Sequence, residues 1–204
     1  GAAPLKENLA AGLIRLTGWD GSQPLVDPCC GSGVLLIEAA LAALQQAPGL
    51  ERHFALEGWA DFQPELWDKE VDRARQRRRG DLTLPPLLGI ETDPSIADQA
   101  RANVETAGLS GVIRICTGSF EAEALPEGSG VLVCNPPYGQ RIGEEQELDA
   151  LYSALGQFVR QEASGWQLWL LSGNPKLTGA LRLKASRRIP VSNGGIDCRW
   201  LQYE

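Results

Sequence analysis

The sequence predicts an α/β fold whose mostly parallel seven-stranded sheet ends in an antiparallel C-terminal hairpin. Short apolar segments alternate with amphipathic helical segments through most of the chain, and such alternation is typical of a parallel sheet with helices on both faces. A glycine-containing turn joins the first strand to the following helix. Near the C-terminus, NGG at 193–195 separates two β-rich segments, which is a strong hairpin signal.

Apolar periodicity, capping residues and turn residues place the individual elements. A leading amphipathic helix is predicted at 5–17. The first five strands are predicted at 23–28, 87–91, 112–116, 130–134 and 166–172. Helices are predicted at 34–46, 94–107 and 147–163; the one at 94 begins with proline and ends before Gly108, as helices often do. The last two strands are predicted at 186–192 and 197–203.

The alternation is interrupted between residues 47 and 80 by a segment that contains Trp59, Phe62 and Trp67. We expect a helical insertion there. With 204 residues and 43% apolar content, the chain can bury one core, so we expect a single domain over 1–204. The longest apolar run is too short to span a bilayer, and no secretory signal is evident, which favours a cytoplasmic protein. The absence of methionine, even at position 1, suggests a piece of a longer protein.

Composition narrows the classes of site. The five cysteines form no CxxC pair, which favours reduced thiols, and with one histidine no metal site is predicted. The net charge of −7 argues against a domain that grips nucleic acid through its overall field, but it allows local contact. Arginines cluster at 73–79, and a second basic group lies at 182–188. The first cluster also fits a solvated helix end whose cations complement the helix dipole.

Polar side chains at the predicted strand ends indicate a ligand site, because ligands bind at the carboxyl ends of strands in open parallel sheets. The residues at these ends are Asp27, Glu91, Ser119 and Asn135. The first turn, DPCCGSG at 27–33, places Gly31 and Gly33 between a strand and a helix, where they permit close approach of a ligand.

The turn does not match the common dinucleotide or phosphate loops. A GxGxxG fingerprint fails because Leu36 occupies the third glycine position, and GxxxxGK[ST] is absent. A nucleoside-like ligand without a pyrophosphate remains, with the loop holding a small zwitterion and Glu91 holding ribose hydroxyls. Asp27 by itself is equally consistent with a helix cap.

The fourth strand ends in NPPY at 135–138, where two consecutive prolines offer no backbone donor. Proline keeps the preceding Asn135 out of helical geometry, so carbonyl groups project from a stiff segment. The Asn135 side-chain oxygen and the Pro136 carbonyl can accept the two N–H groups of a planar exocyclic amine, and Tyr138 offers a face for a base. Alternatively, Pro136 and Pro137 only end the strand and Tyr138 fills the rim of the core.

The motifs DPCCGSG, GIETDP (89–94) and NPPYGQRIG (135–143) together resemble those of S-adenosylmethionine-dependent amino methyltransferases. NPPY alone is shared by DNA adenine, RNA and glutamine methyltransferases. The flanking stretches are similar to the methyltransferase domain that follows a THUMP domain in bacterial 23S rRNA guanine-N2 methyltransferases (RlmL type, UPF0020). They are APLKENLAA (3–11), IEAA (37–40), APGL (47–50), GWADF (58–62) and NGGIDC (193–198).

The resemblance implies a Rossmann-like class I methyltransferase fold with S-adenosyl-L-methionine as cofactor. The family's cofactor loop maps onto Asp27, Pro28, Gly31 and Gly33, and its ribose ligand maps onto Glu91. The same resemblance implies a direct methyl transfer, for which no nucleophilic side chain is needed.

The adenine and methionine ends of the cofactor site follow from the same resemblance. Lys6 lies in the leading helix, which in such enzymes closes over the methionine end. Where the family usually has an aspartate that accepts from the adenine amine, this chain has Ser119 beside Phe120. Serine is a shorter acceptor, so a backbone group or Glu121 is an alternative partner. Asn135 borders both the cofactor and the target amine.

The resemblance also implies a substrate, the exocyclic N2 amine of a guanosine in large-subunit rRNA, with Asn135, Pro136, Pro137 and Tyr138 as the catalytic segment. We expect a THUMP-type RNA-binding module in the full-length chain and a local RNA contact at the arginines of 73–79. Arg141 is a candidate phosphate contact.

Three other functions use the same residues. A DNA adenine-N6 methyltransferase shares the NPPY chemistry, although no block large enough for target-sequence recognition is evident. A protein glutamine-N5 methyltransferase also presents an amide to NPPY, but it would leave the basic clusters without a role. A non-enzymatic cofactor-binding module has no need for the acceptors at Asn135.

Overall fold

The computed structural model describes residues 5–50, 52–138 and 145–204. Their centre is a seven-stranded sheet with the order β3-β2-β1-β4-β5-β7-β6. The strands are β1 (Leu25–Asp27), β2 (Leu87–Glu91), β3 (Ile113–Thr117), β4 (Val131–Cys134), β5 (Gln167–Ser172), β6 (Arg187–Asn193) and β7 (Ile196–Tyr203). The pairs among β1 to β5 are parallel, and β7 runs antiparallel to both β5 and β6. The predicted fold class is confirmed.

Six α-helices accompany the sheet in the described residues: α1 (Glu7–Thr17), α2 (Val34–Ala43), α3 (Pro64–Arg77), α4 (Pro94–Thr106), α5 (Glu145–Glu162) and α6 (Pro175–Ala180). The short helix α6 was not predicted. Its signal is local, since Asn174 accepts a hydrogen bond from the Lys176 N–H (3.0 Å) and Pro175 fills the first helical position.

Two predicted segments prove shorter by three residues each, whereas the other predicted bounds agree with the structure to within two residues. The first strand covers only 25–27 rather than 23–28; Pro24, just before it, has no backbone N–H to donate to a neighbouring strand. The helix predicted at 34–46 ends at Ala43, and Gln45 adopts a left-handed backbone conformation with φ 52° that the helix cannot continue through.

The hairpin turn differs from the prediction in one residue. Asn193 was assigned to the loop, but it is the last residue of β6 and pairs with Ile196. The loop consists of Gly194 and Gly195 alone, with φ values of 59° and 85°. Two successive positive φ values match the twist of a two-residue hairpin, and glycine adopts them without steric cost. The side chain of Asn193 is therefore free for another role.

None of residues 47–50 and 52–80 is buried. They contain a short 3₁₀ turn (Ala55–Gly58) and α3, and no residue of α3 is buried. Phe54 packs edge-on against Trp67, with ring centroids 5.5 Å apart, whereas Trp59 remains 66% exposed. The segment thus presents an exposed aromatic side chain and a basic helix end away from the core.

The core lies along the central strands, where β1, β4 and most of β2 are buried. The indole rings of Trp169 and Trp200 stack across β5 and β7 with centroids 5.7 Å apart. This packing holds the carboxyl ends of β1, β2 and β4 at one edge of the sheet. Within the described residues, no helix is both long and apolar enough to cross a membrane.

Candidate active site

A cavity of about 500 Å³ lies at the carboxyl ends of β1, β2 and β4. It is the place where the sequence predicts a ligand, because neighbouring parallel strands end there on both sides of β1. Nine predicted site residues line it: Asp27, Pro28, Gly31, Glu91, Phe120, Asn135, Pro136, Pro137 and Tyr138. Their chemical roles stay predictions.

The glycine loop between β1 and α2 forms the floor of this cavity. Gly31 and Gly33 have φ values of 52° and 81°, which favour glycine. The Cys30 N–H donates to the Ile90 carbonyl (2.9 Å) and so fastens the loop to β2. The contact is close: a Cβ on Gly89 of β2 would lie 2.9 Å from the Cys30 sulfur. A larger residue at position 89 would push the loop into the cavity.

Asp27 is the most buried carboxyl group of the site, with 1% of its surface exposed. Its Oδ1 accepts one hydrogen bond, from the Cys29 N–H at 3.1 Å. Burial and, to a smaller extent, the negative charge of Glu91 raise the pKa of Asp27 to about 8, against the opposing effect of the Cys29 hydrogen bond. A cation in the cavity would relieve this cost by stabilising the carboxylate.

Glu91 joins the glycine loop to the end of β2. Its Oε2 accepts from the Gly31 N–H (3.1 Å), and its Oε1 accepts from the Asp93 N–H (2.9 Å). These two bonds hold the carboxylate in a fixed orientation at the cavity wall. A carboxylate oxygen has two lone pairs, so the oriented group can still accept from a pair of hydroxyls.

Phe120 closes the cavity beside β3. It is buried and packs edge-on against Phe158, with ring centroids 5.3 Å apart. The Ser119 Oγ accepts from the Glu121 N–H (3.2 Å) and caps a 3₁₀ turn. Of this pair, Phe120 lines the cavity and Ser119 does not.

The NPPY segment forms the opposite wall, directly after β4. The Asn135 Oδ1 is buried and accepts no hydrogen bond from any described residue. A buried acceptor without a donor is costly. It therefore indicates that a donor from outside the described chain completes the site.

Tyr138 is 6% exposed, lines the cavity and is also packed into the core. Its hydroxyl accepts a hydrogen bond from the Asn193 side-chain N–H at 2.9 Å. Burial raises the pKa of this phenol, so the ring is a neutral surface at physiological pH. The structure thus combines the two alternatives for Tyr138, a cavity wall and a plug at the edge of the core.

Not every predicted residue lines this cavity. Gly33 lies behind it as the N-cap of α2, and Lys6 is the N-cap of α1. Lys6 instead lines an adjoining cavity with Ser32 and Val34. Leu5 contributes to both cavities, so Lys6 lies near one end of the site. Arg141 lies outside the described residues.

Sequence reasoning missed several apolar members of the lining. Ile96 in the first turn of α4 and Leu151 in α5 both face the cavity. For Ile96 the sequence offers one signal, its position just beyond the strand-end acid Glu91. In the structure it is 38% exposed although it is large and apolar. Leu151 belongs to an ordinary amphipathic pattern, so nothing in the sequence separates it from core residues of the same helix.

The cavity combines two carboxyl groups, an orphan amide acceptor and apolar walls. This arrangement suits a ligand that is partly cationic and partly aromatic. In the described part of the chain, no three His, Cys, Asp or Glu side chains are grouped as metal ligands. A group that donates N–H bonds to Asn135 would sit beside such a ligand, which is the geometry of a transfer between two bound molecules.

Comparison with known proteins agrees with this geometry. The UPF0020 family, described as "RMKL-like, methyltransferase domain", matches residues 1–202. A Synechocystis protein described as "Putative RNA methyltransferase slr0064" is 40% identical over 100% of this chain and 53% of its own length. The ribosomal RNA large subunit methyltransferase K/L of Syntrophotalea carbinolica is 42% identical over 99% of this chain and 30% of its own length. The chain therefore spans about half or less of these relatives.

Solved structures show the same fold. SMU.472, described as "a putative methyltransferase complexed with SAH", superposes with a TM-score of 0.92 at 30% identity, over 100% of this chain and 53% of that one. A Listeria monocytogenes protein described as an N6-adenine-specific DNA methylase gives a TM-score of 0.91 at 30% identity, over 100% and 52%. The family match covers residues 1–202, nearly the whole chain. The chain belongs to the UPF0020 family of RMKL-like methyltransferase domains.

Proposed function

We propose that this chain transfers a methyl group from S-adenosyl-L-methionine to the exocyclic N2 amine of a guanosine in large-subunit rRNA. The observation that carries the proposal is the buried Asn135 Oδ1, which lacks a donor among the described residues and lines the same cavity as Asp27 and Glu91. An exocyclic amine supplies the missing donor. The rRNA methyltransferase K/L relative supports rRNA as the substrate class.

The residues of the cavity fit S-adenosyl-L-methionine. The cofactor carries cationic groups, and the two carboxyl groups of Asp27 and Glu91 provide a complementary negative floor. Glu91, held by the Gly31 and Asp93 N–H groups, would accept from ribose hydroxyls. Phe120 and Ile96 supply an apolar slot for the adenine ring. The methyltransferase SMU.472, whose structure contains SAH, has the same fold.

The mechanism needs alignment more than side-chain reactivity. Bound S-adenosyl-L-methionine supplies an electrophilic methyl group on a sulfonium. The Asn135 Oδ1 and the Pro136 carbonyl accept the two N–H bonds of the amine and draw its lone pair out of conjugation with the ring. The methyl group would pass from sulfur to the amine nitrogen, and the displaced proton would leave to water. Neither Asn135 nor Pro136 can take up that proton.

The nucleotide must leave its stack to bring its amine to this wall, and the Tyr138 ring is the platform that receives it. Because the chain spans about half or less of the relatives reported above, we propose that a THUMP-type module elsewhere in the natural protein supplies most of the RNA affinity. Residues 1–204 then act as one catalytic domain. An rRNA substrate implies a cytoplasmic enzyme.

A second candidate is DNA adenine-N6 methylation, favoured by the description of the Listeria monocytogenes neighbour. The Asn135 and Pro136 acceptors would hold an adenine N6 amine equally well. Glutamine-N5 methylation of a protein uses the same acceptors. The three functions differ in the macromolecule that becomes labelled, so transfer to rRNA, duplex DNA and protein separates them.

Replacing Asn135 by alanine should reduce turnover while sparing the cofactor. We expect kcat for rRNA to fall roughly 100-fold or more, as for the loss of a preorganised transition-state contact. The dissociation constant of SAH should change by no more than about threefold, since a contact worth 0.6 kcal/mol or less corresponds to that factor. Methyl transfer and calorimetry measure the two quantities.

Glu91→Gln is the matched comparison, because it keeps the size of the side chain and removes its charge. Here SAH affinity should weaken roughly 10-fold to 100-fold, the effect of losing charge-assisted hydrogen bonds. Equal losses of SAH affinity in Asn135→Ala and Glu91→Gln would refute the separation of roles.

Asp27 should make the stability of the free protein depend on pH. Its pKa is raised from 3.8 to about 8, so its stabilising contribution is complete below the lower value and is lost as the pH rises through the higher one. Relative to Asp27→Asn, the wild-type free energy of unfolding should fall by up to about 1.4 kcal/mol per pH unit between about pH 5 and about pH 8. Urea unfolding of both proteins measures this; a difference independent of pH would contradict it.

The basic end of α3 should contribute to RNA binding. Arg77 and Arg78 are exposed, and neither forms an ion pair with a described residue. Changing both to glutamate should raise KM for rRNA. The slope of log binding constant against log salt concentration should fall by the equivalent of about two phosphate contacts. The same charge reversal at the exposed Arg187 and Arg188 of β6 is the control and should have a smaller effect. Equal effects at both places would remove α3 as the RNA contact.

A further inference from the structure

The buried amide of Asn193 is not explained by the hairpin in which it lies. A two-residue turn of this kind needs positive φ values, and these belong to Gly194 and Gly195. Asn193 has ordinary strand geometry and pairs with Ile196. Yet its side chain is only 3% exposed, although β6 is an edge strand whose other residues are exposed or half-buried.

The partner of Asn193 lies in the candidate active site. The Asn193 Nδ2 donates to the Tyr138 hydroxyl at 2.9 Å, across 55 residues of sequence, and the bond is buried. Burying an amide in this way is costly unless it is paired, and the loss of one partner leaves the other unsatisfied. The bond therefore ties the tip of the C-terminal hairpin to the last residue of NPPY.

The rest of the hairpin tip packs around the same ring. A Cβ on Gly173, just after β5, would lie 3.1 Å from Ile196, 3.3 Å from the Cys198 sulfur and 3.4 Å from the Tyr138 ring. Position 173 thus has no room to spare between the hairpin and the ring. Packing holds Tyr138 from the side and Asn193 holds its hydroxyl.

We infer that Asn193 is a positioning residue that sets the orientation of the Tyr138 ring for methyl transfer. The inference rests on the proposed function, in which Tyr138 receives the extruded base. Asn193 itself does not line the cavity, so it acts on the substrate only through Tyr138. A change at Asn193 should then disturb the alignment of the amine with the methyl group. We therefore expect it to lower kcat more than it weakens cofactor binding.

A double-mutant cycle on the natural full-length protein tests this inference. The four proteins are wild type, Asn193→Ala, Tyr138→Phe, which removes only the hydroxyl, and the double variant. Each single change should lower kcat for rRNA by roughly tenfold, and the double variant should lose no more than about twofold beyond either. SAH affinity, by calorimetry, should stay within about twofold of wild type, because Asn193 does not line the cavity and Tyr138→Phe removes only the hydroxyl that Asn193 holds.

Ser192→Ala is the matched control, since Ser192 is the exposed neighbour of Asn193 in the same strand. It should leave kcat unchanged. If Asn193→Ala does not fold, Tyr138→Phe tests the same bond from its other end, because the ring remains. A merely structural role would lower resistance to urea but leave kcat intact in protein that is folded under assay conditions.

Two results would overturn the inference while the proposed function stands: wild-type kcat in Tyr138→Phe or Asn193→Ala, or multiplicative losses in the double variant. An additive cycle would mean that Asn193 does not act through Tyr138. By contrast, a wild-type protein that methylates no rRNA refutes the proposed substrate, and with it the role assigned to Asn193. The wild-type measurement therefore separates the two failures.

Discussion

The parallel pairing of β1 with both of its neighbours is the constraint on which the site depends. This strand has only three residues, all buried, and Val26 lies opposite Leu88 on one side and Leu132 on the other. Any slip in this register would move Asp27 away from the ends of β2 and β4. Asp27, Glu91 and the NPPY segment face one cavity because β1, β2 and β4 end at the same edge of the sheet.

The same arrangement places function and stability in conflict. Asp27 is buried beside a second carboxyl group and has only one hydrogen bond to its Oδ1, which is costly for a free protein. Asn135 adds a buried acceptor without a described donor. A core optimised for stability would contain neither group. Under the proposed function, a cationic ligand and an amine in the cavity would compensate for both groups, which is how a binding site differs from packing.

Much of this site could be predicted from the chain. The glycine turn, the acid that ends β2 and the NPPY segment each have a local signature tied to a strand end, so their convergence followed once the alternation of strands and helices was established. Local signatures failed where the decisive contact is distant in sequence. Ser119, for example, does not line the cavity; its hydroxyl accepts a hydrogen bond from the Glu121 N–H and caps a 3₁₀ turn.

Asn193 shows the same limit more sharply. An Asn–Gly pair is a turn signal in any sequence, and the turn is indeed present, displaced by one residue onto Gly194 and Gly195. The bond to Tyr138 spans 55 residues, and no periodicity or capping rule reaches that far. Similarly, Trp59 is exposed and no residue of α3 is buried. Aromatic content alone would have placed this segment in the core, so its exposure depends on how the insertion packs.

The central claim is that the cavity aligns an exocyclic guanine amine with a methyl donor. The most direct measurement is methyl transfer from labelled S-adenosyl-L-methionine to large-subunit rRNA from a strain that lacks the natural gene, followed by nucleoside analysis of the product. We expect the label in N2-methylguanosine, and none in duplex DNA or protein. Label in N6-methyladenine or in glutamine, with rRNA unmodified by the full-length protein, would contradict the account.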